Sequence, residues 1–174
     1  MSKPLTRERL IVANDILLSE VAALLAEGRE SELLTRGDSM RPFILGDRDS
    51  VVLRKTDRLK PGDIALARLA DGRWVLHRIV SIGNGNVTLK GDGNLTGTEC
   101  CLETDIAGIA IEVLKPHRRV DCRSEKALRR ARWWNALSVA QRRRRLRLLK
   151  AFRWSDLSAF IKRKIQNIKT GKLN

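Results

Sequence analysis

Three residues that could together cleave a peptide bond lie at separate points of this sequence. Ser39 lies in the stretch GDSMRP, His77 in VLHRIV and Asp92 in KGDGN. A serine hydroxyl is a weak nucleophile until an adjacent base removes its proton. Histidine can take that proton, and a carboxylate can hold the imidazole in the required tautomer. These residue types therefore predict nucleophilic catalysis at a serine.

The sequence holds two histidines, and their settings differ. His117 lies beside two arginines, in a basic stretch that favours exposure to solvent. His77 lies within an otherwise apolar run, where a buried polar side chain needs a partner. A lone histidine in such a run is usually a structural residue with a satisfied hydrogen bond. The accompanying Ser39 and Asp92 are what favour catalysis.

The chain divides into three regions that must position these residues. An N-terminal helical region covers residues 1–30, with one amphipathic helix predicted from Thr6 to Gly28 by apolar residues at helical spacing. A β domain covers residues 31–114. A basic, amphipathic helical tail covers residues 115–174.

The β domain alternates short strand-forming runs with turn sequences such as LKPGD, ADGR and GNGN. Strands this short, at such regular spacing, predict a mainly β fold with a small antiparallel barrel-like core. The predicted strands are SELLTR, SVVLRK, DIALARL, RWVLHRIVSI, NVTLKG and IAGIAIEVL.

Charge separates the tail from the rest of the chain. Residues 1–114 hold 15 basic and 17 acidic residues, a net charge of −2, and residues 115–174 hold 20 basic and 3 acidic residues, a net charge of +17. Such asymmetry points to an anionic partner for the tail. The tail reads as two or three helices broken near Asn135 and Ser155, with Trp133, Trp134 and Trp154 among its arginines.

A basic helix with tryptophans at its boundary is typical of a segment that lies in a lipid headgroup layer. The favoured partner of the tail is therefore an anionic membrane surface. Packing of the apolar stripe on the barrel or on another protein is the first alternative. Nucleic acid is a weaker one, because no known nucleic-acid-binding motif is present.

Neither a cofactor nor a metal is predicted from the composition. The three cysteines, Cys100, Cys101 and Cys122, have no metal-ligand spacing, and their odd number argues against a disulfide framework. Because the N-terminus lacks an apolar signal segment and no run approaches the length of a membrane span, we expect a cytoplasmic protein. The tail adds the expectation of peripheral attachment to the inner face of the membrane.

Six motifs in order, GDSMRP, LGDRDSVV, LKPGDIALA, HRIV, KGDGN and DIAGIAIEV, resemble the superfamily of type I signal peptidases and LexA-like repressors. The resemblance covers about residues 32–114. It implies that Ser39 is the nucleophile. Most bacterial members have a lysine as the base, whereas this chain has His77 at that position and so resembles the archaeal and endoplasmic-reticulum branch. The aspartate of the KGD motif in that branch corresponds to Asp92.

Two departures from the family pattern affect the predicted site. Gly37 replaces the hydroxyl residue that helps many bacterial signal peptidases bind the oxyanion, so a backbone N–H, that of Ser39 itself, is expected to do so. Asp38 and Met40 flank the serine in this turn, and Met40 is expected to pack beside the site. The histidine branch also carries a second aspartate after KGD, and here that region reads Thr98-Glu99.

Two assignments therefore have alternatives. Asp92 is favoured as the acid that orients His77, with Glu99 as the alternative. Lys90 is a second candidate base, but it would need a pKa depressed by burial.

The resemblance implies a serine endopeptidase that cuts a signal or leader peptide from a precursor polypeptide. The strand just upstream of Ser39 could offer an edge on which an extended substrate pairs. Two alternatives stay open. One is a repressor-like regulator that cuts itself, for which the resemblance implies a cleavable Ala-Gly or Cys-Gly pair before the peptidase core. No such pair precedes Ser39, and the only Ala-Gly pair, Ala107-Gly108, lies within the last predicted strand. The other is a non-catalytic module whose basic tail binds membrane or nucleic acid.

Overall fold

The computed structural model describes residues 14–149, which form a curled half-barrel sheet of eight antiparallel strands and three helices. The helices are α1 (Asn14–Ala26), α2 (Glu125–Ala136) and α3, which begins at residue 139 and is described as far as residue 149. The strands are β1 (Ser31–Leu34), β2 (Ser50–Arg54), β3 (Ile64–Arg68), β4 (Trp74–Gly83), β5 (Asn86–Lys90), β6 (Glu99–Leu102), β7 (Ile106–Lys115) and β8 (Arg118–Asp121), with a 3-10 turn (Glu103–Asp105) before β7. The predicted mainly β fold is confirmed.

All six predicted runs form strands, and two further strands escaped prediction. The first, β6, has the sequence ECCL, and the second, β8, has the sequence RRVD. The expectation that the helical tail begins at residue 115 is wrong. The chain turns at Pro116 and His117, and β8 pairs with β7 as part of the sheet.

The strands are paired in the order β1-β2-β7-β3-β4-β5-β6, with β8 on β7. The central strand β3 has the sequence IALAR, and its first four residues are all buried. Ile64 and Leu66 pack in one apolar cluster, and Ala65 and Ala67 pack in another on the opposite face. This alternation is what a strand covered on both faces requires.

Helix α1 packs its apolar face on the first of these clusters through Val21 and Leu25. It ends where the sequence predicts. Gly28 adopts a φ of 80°, and its N–H donates to the Leu25 carbonyl at 3.0 Å, which is a glycine-based helix stop. The predicted start at Thr6 lies outside the described residues.

Helix α2 is docked onto the sheet. Ser124 caps its N-terminus, and the preceding Arg123 donates from Nε and Nη2 to both carboxylate oxygens of Asp63, at 2.8 and 2.6 Å. Trp134 is 2% exposed, and its Nε1 donates to the Asp92 carbonyl at 2.7 Å. The predicted break near Asn135 is confirmed, because α2 ends at Ala136.

Trp134 therefore belongs to the protein interior and cannot lie in a headgroup layer. Trp133, by contrast, is 52% exposed. The predicted break at Ser155 and the predicted contribution of Trp154 lie outside the described residues. Within residues 14–149, no helix has the length and apolar character that a membrane crossing requires.

Candidate active site

Ser39 lies in a turn that follows β1. Gly37 enters the turn with a φ of 74°, a conformation that glycine adopts without strain. The N–H groups of Arg41 and Ile44 then donate to the carbonyls of Asp38 and Met40, at 3.1 and 3.0 Å. The resulting helical turn leaves Ser39 half-buried and buries Met40.

Asp49 fixes the far end of this turn from a fully buried position. Its carboxylate accepts hydrogen bonds from the Leu45 N–H at 3.0 Å and from Lys115 Nζ at 2.7 Å, and Arg48 contributes a third. Its carbonyl accepts bonds from the N–H and the hydroxyl of Thr35. Burial alone would raise the pKa of Asp49, but the bonds from Arg48, Lys115 and Leu45 outweigh that effect and hold its pKa below the ordinary value.

The KGDGN turn packs directly against the backbone of Ser39. The Gly93 N–H donates to the Ser39 carbonyl at 2.7 Å. A Cβ at Gly91 would lie 2.6 Å from the Ser39 carbonyl oxygen, and one at Gly93 would lie 2.5 Å from that of Asp38. At both positions the two backbones approach too closely for a side chain, so glycine is required there. The contact holds the Ser39 backbone in position.

His77 lies on β4, opposite Ala65 of β3, and is 5% exposed. Its Nδ1 lies 3.0 Å from Oε2 of Glu99, the first residue of β6. Because a carboxylate only accepts hydrogen bonds, Nδ1 is the donor of this contact, and in the neutral imidazole Nε2 then carries the lone pair. Nε2 is thus the nitrogen that could accept a proton from a substrate or a nucleophile.

The placement of Asp92 beside His77 is wrong. Asp92 is 2% exposed, and its carboxylate accepts bonds from Arg78 Nε at 2.9 Å and from Arg78 Nη2 at 2.7 Å. Neighbouring residues on a strand point to opposite faces, so Arg78 and its partner Asp92 lie on the face of β4 opposite to His77. The alternative acid, Glu99, is the one that contacts the histidine.

Ser39, His77 and Glu99 line one cleft of about 630 Å³. Its walls are β1, the first half of β4 and the α1 side chains Leu17, Leu18 and Val21, with Met40 and Ile44 among its apolar lining. Gly37 and Asn94 also border it. The serine and histidine thus share a cleft, although no hydrogen bond joins them in the part of the chain that the structure describes.

The cleft lies between two strand edges that have no partner strand among the described residues. β1 pairs only with β2. β4 pairs with β3 from Trp74 onward but with β5 only from Arg78 onward, so residues 74–77 have one open edge. An extended peptide lying in the cleft would therefore meet unpaired backbone groups on both sides.

The remaining predicted site residues have distinct positions. Asp38 forms an ion pair with Arg41 Nε at 2.6 Å, at the rim of the serine turn. Within residues 14–149, the Ser39 N–H donates to no backbone carbonyl of the turns and loops. Lys90 lines a separate cavity on the other side of β4 and does not border the Ser39 cleft.

No metal centre is indicated in the described part of the chain, where no group of three or more His, Cys, Asp or Glu side chains could hold an ion. No protein-family model matches this chain, and no curated protein matches it.

Sequence reasoning missed several residues that build the site. Arg78, adjacent to His77, takes Asp92 as its partner, and Lys115 holds Asp49 from the end of β7. A signal for Arg78 was present, since an arginine in an apolar run needs a buried anion, and Asp92 is an acid in a nearby turn. The sequence carries no comparable signal for Lys115.

Proposed function

We propose that this protein is a serine endopeptidase of the signal peptidase and LexA-like superfamily, which cuts a signal or leader peptide from a precursor polypeptide. One observation carries the proposal. Ser39, His77 and Glu99 line the same cleft, and the Glu99 carboxylate accepts a hydrogen bond from Nδ1 of His77. A nucleophile, a base and an acid that orients the base make up the set needed for acyl transfer.

In the proposed reaction, Ser39 Oγ attacks the scissile carbonyl carbon while His77 Nε2 takes the hydroxyl proton. The Ser39 N–H donates to the oxyanion. His77 then gives the proton to the leaving amine, and an acyl-enzyme ester remains. His77 next removes a proton from water, whose oxygen attacks the ester carbonyl carbon. The bond to Ser39 Oγ then breaks, His77 returns its proton to that oxygen, and the new carboxyl terminus of the cleaved peptide is released. Glu99 stabilises the imidazolium that forms in each half of the reaction.

The two open strand edges support a substrate that binds as an added strand. Backbone hydrogen bonds to β1 and to residues 74–77 would hold it extended, with alternate side chains in the cleft. The lining of that cleft is largely apolar, with Leu33, Met40, Ile44 and Leu66 on its surface. This favours precursors with uncharged side chains before the cut.

Self-cleavage is the weaker alternative. The Ala107-Gly108 bond lies within β7, which pairs with β2 and β3. Gly108 is buried, and a Cβ there would lie 2.8 Å from the Arg54 carbonyl. That peptide bond cannot reach Ser39 while the sheet is intact.

Peptide-library cleavage tests the proposal. The full chain and its Ser39→Ala and His77→Ala variants are incubated with a proteome-derived peptide library, and new termini are identified by mass spectrometry. The proposal expects cuts from the wild type and from two matched controls, Ser81→Ala and His117→Ala, both of which change exposed residues. Ser39→Ala and His77→Ala should give none while keeping wild-type circular dichroism.

If the wild type cuts no peptide, or if Ser39→Ala cuts equally well, the proposed serine endopeptidase activity is wrong, and a non-catalytic binding module is the alternative that remains. If the wild-type chain is cleaved between Ala107 and Gly108 on storage and the Ser39→Ala variant is not, the result would favour the self-cleaving regulator.

We also propose that the basic tail attaches the protein from the cytoplasmic side to the inner, anionic face of the membrane, where precursors emerge. The described part of the tail supports this with an exposed apolar patch of Trp133, Leu148 and Leu149. The side chains of Arg130 and Arg145 border that patch, and Arg145 lies over the Trp133 ring at 4.8 Å from its centroid. Cations next to exposed tryptophan and leucine favour a headgroup layer.

Vesicle sedimentation tests the attachment. The full chain should pellet with anionic vesicles, less with neutral ones and less as salt rises, because screening shortens electrostatic range. A double variant, Trp133→Ser with Leu148→Ser, should pellet less than a control Val139→Ser, which changes another exposed residue of α3. Equal pelleting of the double variant and the control, or none by the wild type, would contradict the proposal.

A further inference from the structure

A second cavity, of about 460 Å³, lies between the sheet and the two C-terminal helices. It shares no lining residue with the Ser39 cleft. Four of its lining side chains are cationic, Arg78, Lys90, Arg132 and Arg142, and none is acidic. Because Arg78 is neutralised by Asp92, the cavity has three cations without a counter-charge on its walls.

Arg142 is the unusual member of this group. It is 5% exposed, yet its Nε and Nη1 have no hydrogen-bond partner within the described residues. Among the described residues, its guanidinium makes one hydrogen bond, from Nη2 to the Leu95 carbonyl, and that bond is long, at 3.4 Å. A buried guanidinium with unmet donors carries a large desolvation cost. Proteins ordinarily offset that cost with an anion.

The neighbouring cations increase that cost. Lys90 is half-buried at the end of β5, and Arg132 lies on the exposed side of α2. Neither forms an ion pair with an acidic residue in the described part of the chain. Like charges around one cavity repel each other, and an anion among them would relieve that repulsion.

We propose that this cavity binds a phosphate group, held by Arg142 with Lys90 and Arg132. A phosphate carries up to two negative charges and three or more acceptor oxygens, so it can accept bonds from several donors at once. A carboxylate brings one charge and would leave two cations without compensation. The cavity is also larger than a single phosphate, which fits a small phosphate ester or the headgroup of a phospholipid.

The position of the site gives the bound anion a structural effect. Arg142 donates to Leu95, which follows Asn94 at the rim of the Ser39 cleft. Trp134, from the neighbouring helix, donates to the Asp92 carbonyl in the same loop. A phosphate on Arg142 therefore stabilises the contact between the C-terminal helices and the loop that supports Ser39.

Thermal unfolding of the full chain tests the proposal, with inorganic phosphate added at constant ionic strength against chloride. A ligand that binds only the folded state raises the melting temperature with concentration. Phosphate should raise it for the wild type and for Arg143→Gln and Arg129→Gln, which remove one charge each without touching the cavity. Arg142→Gln should weaken phosphate binding, measured by calorimetry, by about ten-fold or more, the usual loss for a charge-assisted hydrogen bond.

If Arg142→Gln does not fold, the double variant Lys90→Gln with Arg132→Gln carries the test, against the double control Arg129→Gln with Arg143→Gln. Equal phosphate binding by the test and control variants would overturn the site and assign the response to the general positive charge of the protein. No phosphate binding by the wild type would overturn the site as well.

Glycerol 3-phosphate and phosphatidic acid vesicles distinguish the sources. Arg142-dependent binding of the soluble ester supports a small phosphate ester, and such binding of vesicles alone supports a lipid headgroup.

Discussion

Glu99 Oε2 and His77 Nδ1 are joined across 3.0 Å, although β5 lies between the strands that carry them. The contact gives the imidazole one orientation and one tautomer. It also distinguishes the two candidate acids, of which the sequence analysis favoured Asp92. Glu99 contacts the histidine, and Asp92 holds Arg78. Changing Glu99 to glutamine and changing Asp92 to asparagine should therefore have different consequences.

We expect Glu99→Gln to lower the proposed peptidase activity by about 10²- to 10⁴-fold, because an amide can impose the wrong tautomer and cannot stabilise an imidazolium. The fold should remain, since the Glu99 side chain is 25% exposed. Steady-state cleavage and thermal unfolding measure the two effects. Unchanged activity would remove Glu99 from the proposed mechanism.

Asp92→Asn should instead reduce stability. It leaves the Arg78 guanidinium buried opposite a neutral amide, and loss of one partner of a buried ion pair costs about 3–5 kcal/mol. Chemical denaturation gives the free energy of unfolding. The matched comparison is Asp71→Asn, which breaks an exposed pair with Arg73 and should reduce stability far less than Asp92→Asn does. Similar losses in both variants would contradict the buried role of Asp92.

Stability should depend on Asp49 in a pH-dependent way. Its pKa is lower in the folded protein than the ordinary 3.8. The carboxylate therefore contributes its full stabilisation above the unfolded value, and that contribution is lost as pH falls from there through the folded pKa. Asp49→Asn should be less stable than wild type by about 3 kcal/mol or more at neutral pH, because Lys115 loses its partner.

Denaturation curves of wild type and Asp49→Asn over a pH series measure this effect. The stability gap should be constant above about pH 5 and should narrow below about pH 4. A gap that widens on acidification would show that the carboxylate is not the stabilising form.

Gly93→Ala should disturb the serine turn. Its methyl group would lie 2.5 Å from the Asp38 carbonyl oxygen, so the two loops must separate, at a cost of about 1–3 kcal/mol. Gly83→Ala is the control, because a Cβ there meets nothing within 4 Å. We expect that control to change stability by less than about 0.5 kcal/mol. Equal behaviour of the two variants would show that the loops do not pack as described.

The cysteines should differ in reactivity towards a thiol reagent. Burial raises the pKa of Cys101 to about 11 and that of Cys122 to about 12, so both stay protonated at pH 8. Cys100 is exposed. Ellman's reagent should therefore modify one thiol rapidly in the native protein and three in denaturant. Cys100→Ser should remove the rapid phase, and its persistence would contradict this arrangement.

Six strands and the stop of α1 could be predicted because their signals are local. Apolar alternation bounded by turn residues marks each strand, and Gly28 supplies the left-handed conformation at the end of the helix. β6 and β8 could not, because ECCL and RRVD carry too little apolar pattern and gain their stability from neighbouring strands. Tertiary pairing determines strands this short.

The sequence analysis selected a serine and a histidine that line the same cleft, but it favoured an acid that does not contact the histidine. Sequence order places Asp92 nearer to His77, and Glu99 is further along the chain. Whether Asp92 or Glu99 contacts the imidazole depends on the face of β4 to which His77 points, and Arg78 points to the other face. Trp134 shows the same limit. A tryptophan beside arginines is expected at the surface, and only the fold brings its indole N–H to the Asp92 carbonyl that accepts its hydrogen bond.

The pairing path of the sheet also sets the order in which a new chain can complete the cleft. Ser39 follows β1, at one end of that path, and Glu99 begins β6, at the other. During synthesis the serine leaves the ribosome long before the glutamate, and the Trp134 bond to Asp92 comes later still. A nascent chain therefore carries the proposed nucleophile before its base and acid are in place. Under the proposed function, the chain could not cut its own unfolded segments until the fold that buries them is complete.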